Sequence, residues 1–219
     1  PTLRARVFSS CVILRFFSFI LRLSSLFSSI TQTVSPTVPT CLAFFFDFAP
    51  VVDAARRWSR QEPEVQFVLC GTGPHLKVVE EMAAGLSNVV LPGWLEAPQL
   101  AALLQSATIG IAPYVPSSSF LASIPNKVIE YLSHGLPVVC SLEQGVVGRL
   151  LATQDCGVMY SPEVEGSFDM ALRRTLGDAA KGTSMGTAAR RVFEENFDSR
   201  EVYGRMAGLL EELAASRAT

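Results

Sequence analysis

Ile124-Pro-Asn-Lys-Val-Ile-Glu-Tyr131-Leu-Ser-His134-Gly135-Leu-Pro137-Val-Val-Cys-Ser141 contains a helix, its stop signal and a strand. The run from about Asn126 to His134 reads as a helix closed by Gly135, and residues 137–141 read as a short β-rich strand.

The same alternation extends on both sides. Upstream, residues 51–60 carry apolar side chains at helical spacing, Pro63 interrupts, and residues 65–70 form a β-rich run that stops at Gly71-Thr-Gly73-Pro74. Residues 76–86 then read as a helix, 88–91 as a strand, 97–106 as a helix, 108–112 as a strand and 113–125 as a polar loop. Downstream come a helix over 145–154, a short strand over 157–160 and three helical segments, the last opening at Asp198 or Ser199 and running to about Ala215. Strands separated by single helices predict right-handed crossovers and a Rossmann-like α/β fold, a mostly parallel sheet with helices on both faces. Ligands of such sheets sit beyond the strand C-terminal ends, so a site is expected in the loops after Cys70, Leu91, Ala112 and Ser141.

The 219 residues suffice for one domain with a proper core and are too few for two large ones. A net charge of -2 and a pI near 5.8 give no basic field to draw the whole chain to nucleic acid or anionic lipid, so any phosphate must be held locally. The five cysteines form no Cys-x-x-Cys pair and the two histidines, His75 and His134, lie far apart, which argues against a zinc site or a disulfide framework. Cys70 and Cys140 end apolar runs and are expected to pack as small buried hydrophobes. An odd cysteine count leans towards a reducing compartment, with cytoplasmic as the expected location.

Residues 1–46 differ from the rest. They contain no Asp, Glu, Lys, Gly, Asn, His, Tyr, Trp or Met and consist chiefly of Ser, Phe, Leu, Thr, Val and Arg. Arg15 and Arg22 interrupt the apolar run 7–30, and an arginine near a bilayer centre costs at least about 2.5 kcal/mol, which argues against a clean membrane span. Three readings stay open: a targeting or membrane-surface segment, a variable lead-in, or a stretch that does not encode this domain, the last being favoured. On this reading the folded domain is expected over 47–219, with membrane association left open.

Two features carry chemistry. Gly71-Thr-Gly73-Pro74 follows a strand as the start of a dinucleotide fingerprint would, yet Leu76 stands where the third glycine belongs. It reads equally as a tight turn with Pro74 at the first helical position, although glycines at a strand end let a ligand approach the backbone. At the helix opening near Asn126 and Lys127, exposed N–H groups and the positive dipole end make an anion site, and the Lys127 ammonium adds a point charge suited to a diphosphate. Glu130, one turn on, would repel that phosphate but can accept hydrogen bonds from two ribose hydroxyls. The competing reading is an exposed helix with Lys127 and Glu130 as an i,i+3 ion pair.

The stretch Ser123 to Val139, with Pro125-x-Lys127-x-x-Glu130-Tyr131 ahead of Gly135-x-Pro137-Val138, resembles the donor-site signature of glycosyltransferase family 4 and its GT-B relatives. Supporting pieces occur in the same order: Phe67-Val-Leu-Cys-Gly-Thr-Gly-Pro74, Gly93-Trp94, residues 100–107 and Ile109-Gly-Ile-Ala-Pro113-Tyr114. The resemblance spans roughly residues 46–213 and implies the nucleotide-sugar-binding, C-terminal half of a GT-B fold. By it, Glu130 binds the donor ribose, Trp94 lies where the base is held, and the Gly145-Val-Val-Gly148 turn faces the diphosphate. Trp94 could equally be core and Gly145 a plain helix entry; His75 could reach the sugar or phosphate but is expected to face solvent on the first turn, and His134 is expected as a helix-end histidine favoured by the dipole. The implied donor-binding set is Glu130, Lys127, Asn126, Gly71, Gly73, Trp94 and Gly145, with no catalytic residue assigned, no metal and no cofactor beyond the sugar nucleotide.

There are departures. Many relatives carry a second glutamate eight positions before the one matching Glu130, where this chain has Ala122, and Pro125 removes a backbone N–H available to phosphate elsewhere. The family's basic Gly-Arg loop is replaced by Thr40-Cys-Leu-Ala-Phe-Phe-Phe-Asp47, and no lysine precedes Lys77. No Asp-x-Asp offers a carboxylate pair to a divalent ion, in keeping with metal-independent GT-B chemistry. The resemblance thus implies a retaining sugar transferase whose acceptor domain or partner chain is supplied elsewhere, and the alternative is an inactive or partner-requiring nucleotide-binding module.

Overall fold

The computed structural model describes residues 11–16 and 46–217. Strand β1 (Cys11–Phe16) is followed by α1 (Ala49–Gln61), β2 (Val65–Cys70), α2 (Leu76–Met82), β3 (Val89–Gly93) and α3 (Ala97–Ser106). Then come β4 (Ile109–Ala112), α4 (Ser118–Leu121), α5 (Asn126–Ser133), β5 (Val138–Cys140), α6 (Val146–Gln154) and β6 (Gly157–Met159). Helices α7 (Ser167–Leu176), α8 (Ala179–Asn196) and α9 (Ser199–Arg217) complete the chain.

One sheet in the order β3-β2-β1-β4-β5-β6 organises these elements. The pairs β2–β3, β4–β5 and β5–β6 are parallel, as the strand-helix alternation predicts. β1 is the exception. It runs antiparallel between β2 and β4, with Val12 opposite Leu69 on one side and Ile111 on the other. Its sequence, CVILRF, is rich in β-branched and aromatic residues, which suits a central strand. The sheet therefore includes a segment ahead of residue 47, where the composition changes; the expectations for residues 1–10 and 17–45 fall outside the described residues.

Helices cover both faces because successive strand residues point to opposite sides. Val65, Phe67 and Leu69 of β2 join Ile109 and Ile111 of β4 in a core under α1, α2 and α7, centred on Val51, Ala55, Trp58 and Leu172. Val68 and Cys70 face the other way with Ala112, Val138 and Cys140, under α3, α5, α6 and α8. Cys70, Cys140 and Cys156 are buried in these layers.

Three of the departures from the expected element boundaries have a visible cause. The expected helix over 76–86 ends at Met82, before a turn in which Gly85 takes φ +80°. The strand after it starts at Val89 and continues through Pro92 to Gly93, because the parallel partner β2 holds it to that point: the Gly71 N–H donates to the Gly93 carbonyl at 2.8 Å. The polar loop 113–125 contains α4, whose first turn is closed by Ser117 Oγ accepting from the Phe120 N–H at 3.4 Å.

Candidate functional site

The expected residues line the C-terminal edge of the sheet, in two groups on either side of β1. On the β4–β5 side, α5 opens with Pro125 as N-cap in extended conformation, so the first helical N–H groups have no side-chain cap. Asn126 is exposed at the first helical position. Lys127 is only 7% exposed, its stem packed into the protein, and its Nζ lies 3.5 Å from Glu130 Oε2. The structure thus contains the i,i+3 ion pair, but with a buried lysine rather than on an exposed helix face. His134 sits at the C-cap, its Nδ1 3.0 Å from the Glu130 carbonyl and 3.0 Å from Ser133 Oγ, a helix-end role.

What seats α5 is Tyr131. Its ring is fully buried against β4 and its hydroxyl donates to the Ile111 carbonyl at 3.1 Å. Lys127 and Glu130, one turn and one residue before it, are thereby fixed relative to the sheet edge.

Gly145 is the N-cap of α6 with φ +135°, a backbone conformation that L side chains rarely adopt. A Cβ there would stand 2.5 Å from the Leu121 carbonyl oxygen, so the turn is pressed against the end of α4. Gly148, inside α6, is packed as closely on the Glu143 carbonyl. Ala122, the C-cap of α4, is exposed beside this turn.

The second group is on the β2–β3 side. Gly71 has φ +136°, and its N–H bond to Gly93 draws the Gly71-Thr-Gly73 turn beside Gly93-Trp94. Trp94 is 38% exposed and its indole N–H donates to Glu96 Oε1 at 3.0 Å, so it belongs to the surface and not to the core. A hollow of about 410 Å³ opens here, walled by Gly71, Gly73, His75, Leu76, Phe46 and Phe48. His75 is therefore part of a wall and only partly exposed. Sequence reasoning missed Phe46 and Phe48; their signal was the aromatic run just before the first helix, but its position beside the glycine turn depends on the tertiary fold.

A larger hollow, about 1600 Å³, opens at the opposite strand ends between Thr108, Pro137, His134, Gly186 and Arg190. None of the seven expected donor-binding residues lines it, and open α/β sheets bind ligands at the other end, so it is not taken as the site. Among the described residues no three His, Cys, Asp or Glu side chains group as a metal set, and no helix is long and apolar enough to cross a membrane.

Residues 45–178 match the family described as glycosyl transferases group 1. The chain belongs to that family. Its fold agrees with those of solved glycosyltransferases. Sucrose-phosphate synthase from Thermosynechococcus elongatus is 21% identical with a TM-score of 0.60, over 78% of this chain and 44% of that one. Anabaena HepE, solved in complex with UDP, is 17% identical with a TM-score of 0.64, over 79% and 47%. A glycosyltransferase from Rickettsia africae is 13% identical with a TM-score of 0.62, over 89% and 52%. This group 1 glycosyltransferase chain thus spans about half the length of the solved structures it resembles. No curated protein sequence matches it.

Proposed function

We propose that this chain is the nucleotide-sugar-binding half of a family 4 glycosyltransferase of the GT-B type. The observation that carries the proposal is the opening of α5, where the uncapped helix start, Lys127 and Glu130 meet within one turn. A nucleoside diphosphate supplies complementary groups: its phosphates suit the helix N-terminus and the Lys127 ammonium, and its ribose diol suits the Glu130 carboxylate. The contact between Lys127 and Glu130 would then exchange for one ligand contact each. Gly145 at the start of α6 presents a second helix N-terminus to the diphosphate, while Gly71, Gly73 and Trp94 flank the base. HepE, a neighbour in fold, was solved with UDP-glucose, which supports a sugar nucleotide as the ligand.

In the reaction the bond from the sugar anomeric carbon to the diphosphate breaks, its electron pair leaves on the diphosphate, and an acceptor hydroxyl forms the new bond as its proton passes to the departing diphosphate oxygen. Helix N-termini and Lys127 stabilise that leaving charge, so the chemistry is metal-independent, and the family resemblance makes it retaining. The acceptor is held by a second domain or partner chain, this chain spanning about half the length of the solved structures it resembles; membrane association would come through that acceptor.

Amide hydrogen exchange tests this placement. With millimolar UDP, GDP or ADP, exchange should slow in segments 126–130, 145–148 and 71–73. Binding with protection confined to the strand N-terminal ends, around Pro137 and Gly186, would overturn it.

A further inference from the structure

The chain between α4 and α5 forms a wall joining the two helix starts assigned to the diphosphate. Leu121 is pressed against Gly145 at the opening of α6, and Pro125, just beyond, is the N-cap of α5. In a sugar nucleotide the sugar hangs on the phosphate remote from the ribose. With the ribose at Glu130 and the diphosphate spread between the two helix starts, the sugar comes to rest over residues 121–124.

That wall is uncharged: residues 113–125 contain no Asp, Glu, Lys, Arg or His. Its serine hydroxyls are engaged locally, since Ser117 Oγ accepts from the Phe120 N–H at 3.4 Å and Ser123 Oγ donates to the Ser119 carbonyl at 2.7 Å. It offers the exposed Ala122, the half-buried Ile124 and the last two carbonyls of this stretch of helix, those of Leu121 and Ala122. Among the described residues neither carbonyl accepts a hydrogen bond, as is usual where a helix ends without a cap for them.

We propose that this wall is a subsite for an N-acylated amino sugar and that Ala122 is the residue selecting it. The subsite rests on the donor reading above. An acylamino group carries what the wall complements: its N–H donates to an open carbonyl at the end of α4, and its methyl lies on Ala122 and Ile124. A plain hexose sets a hydroxyl where that methyl belongs, and the wall has no carboxylate to accept from a pair of hydroxyls. A cationic, unacylated amino sugar finds no counter-charge on it. A deoxy sugar meets the apolar surface but leaves the carbonyls unpaired.

Calorimetric titration of UDP, UDP-glucose and UDP-N-acetylglucosamine into the full chain tests it. The N-acetyl donor should bind about fourfold tighter than UDP-glucose or better, the scale of one buried methyl group. With alanine and isoleucine methyls isotope-labelled, the Ala122 and Ile124 signals should shift with UDP-N-acetylglucosamine and stay in place with UDP. Ala122→Glu exchanges the methyl for a carboxylate that accepts from sugar hydroxyls, so it should reverse the preference, with circular dichroism unchanged. Glucose-1-phosphate and N-acetylglucosamine-1-phosphate carry no base and give the same comparison should the chain bind GDP or ADP in place of UDP. Equal binding of the two sugars, a preference for glucose, or a preference that survives Ala122→Glu overturns the subsite while nucleotide binding keeps the donor reading intact. Failure of UDP, GDP and ADP alike to bind removes the donor reading itself, and the subsite with it.

Discussion

The Tyr131 ring occupies the space that a side chain on Gly110 would need. A Cβ at Gly110 would lie 2.3 Å from Tyr131 Cγ, and the same tyrosine reaches along β4 to bond the Ile111 carbonyl. The bare strand residue and the ring above it seat α5, and with it Lys127 and Glu130, on the sheet.

Gly110→Ala should therefore cost about 1–3 kcal/mol by overpacking, read as a lowered midpoint in urea. Tyr131→Phe keeps the ring and removes only the hydroxyl, for roughly 1 kcal/mol. If Gly110→Ala is neutral, the ring does not hold α5 in this way.

Two glycines with positive φ separate strain from crowding. Gly93, at φ +73°, has open space where a Cβ would go, while Gly145, at φ +135°, faces the Leu121 carbonyl at 2.5 Å. Gly93→Ala should cost about 1 kcal/mol, from backbone strain alone. Gly145→Ala should cost more and displace α4, visible as altered amide shifts at residues 118–122. Equal costs without shifts at α4 would contradict the close packing.

Across the other face, the Trp58 indole N–H donates to Asp169 Oδ1, and Arg173 Nε reaches Asp169 Oδ2 at 3.0 Å, tying α1 to α7. Trp58 is buried, so losing its acceptor leaves an unsatisfied donor. Asp169→Ala should destabilise by about 1–3 kcal/mol. Asp169→Asn, which still offers an oxygen to Trp58, should cost less, by denaturant unfolding followed through tryptophan fluorescence.

Alkaline pH should weaken the fold through its buried thiols. Burial pushes Cys140 from the ordinary 9.0 to about 12 and Cys156 to about 11. In the unfolded chain these thiols ionise near the ordinary value while the fold keeps them neutral. Their contribution is thus full below pH 9.0 and is lost as pH rises towards those values. Peptide-resolved alkylation at pH 8 should find both unreactive until denaturant is added; rapid native labelling would contradict their burial.

The sequence displayed its local grammar clearly. β2 and α3 begin and end where proline, glycine and apolar spacing indicate, and α5 needs only Gly135 to stop it. β3 runs past Pro92, a residue that discourages strands locally, because pairing with β2 continues to Gly93. The four-residue α4 rests on one serine cap in a polar loop and has no periodicity to betray it. β1 eluded the reading since its partners, β2 and β4, are distant in sequence and antiparallel to it. Within the site, the closeness of Lys127 and Glu130 follows from helical spacing, whereas the burial of Lys127 and the wall formed by Phe46 and Phe48 arise only when distant segments pack.

Calorimetric titration of UDP, GDP and ADP into this chain, into Glu130→Gln and into Lys127→Met tests the donor site most directly. At least one nucleotide should bind the unaltered chain, with affinity falling about 10- to 100-fold in Glu130→Gln and about tenfold in Lys127→Met while circular dichroism stays unchanged. Binding that ignores both substitutions, or no binding by any of the three nucleotides, would contradict the assignment of α5 as the donor-contacting helix.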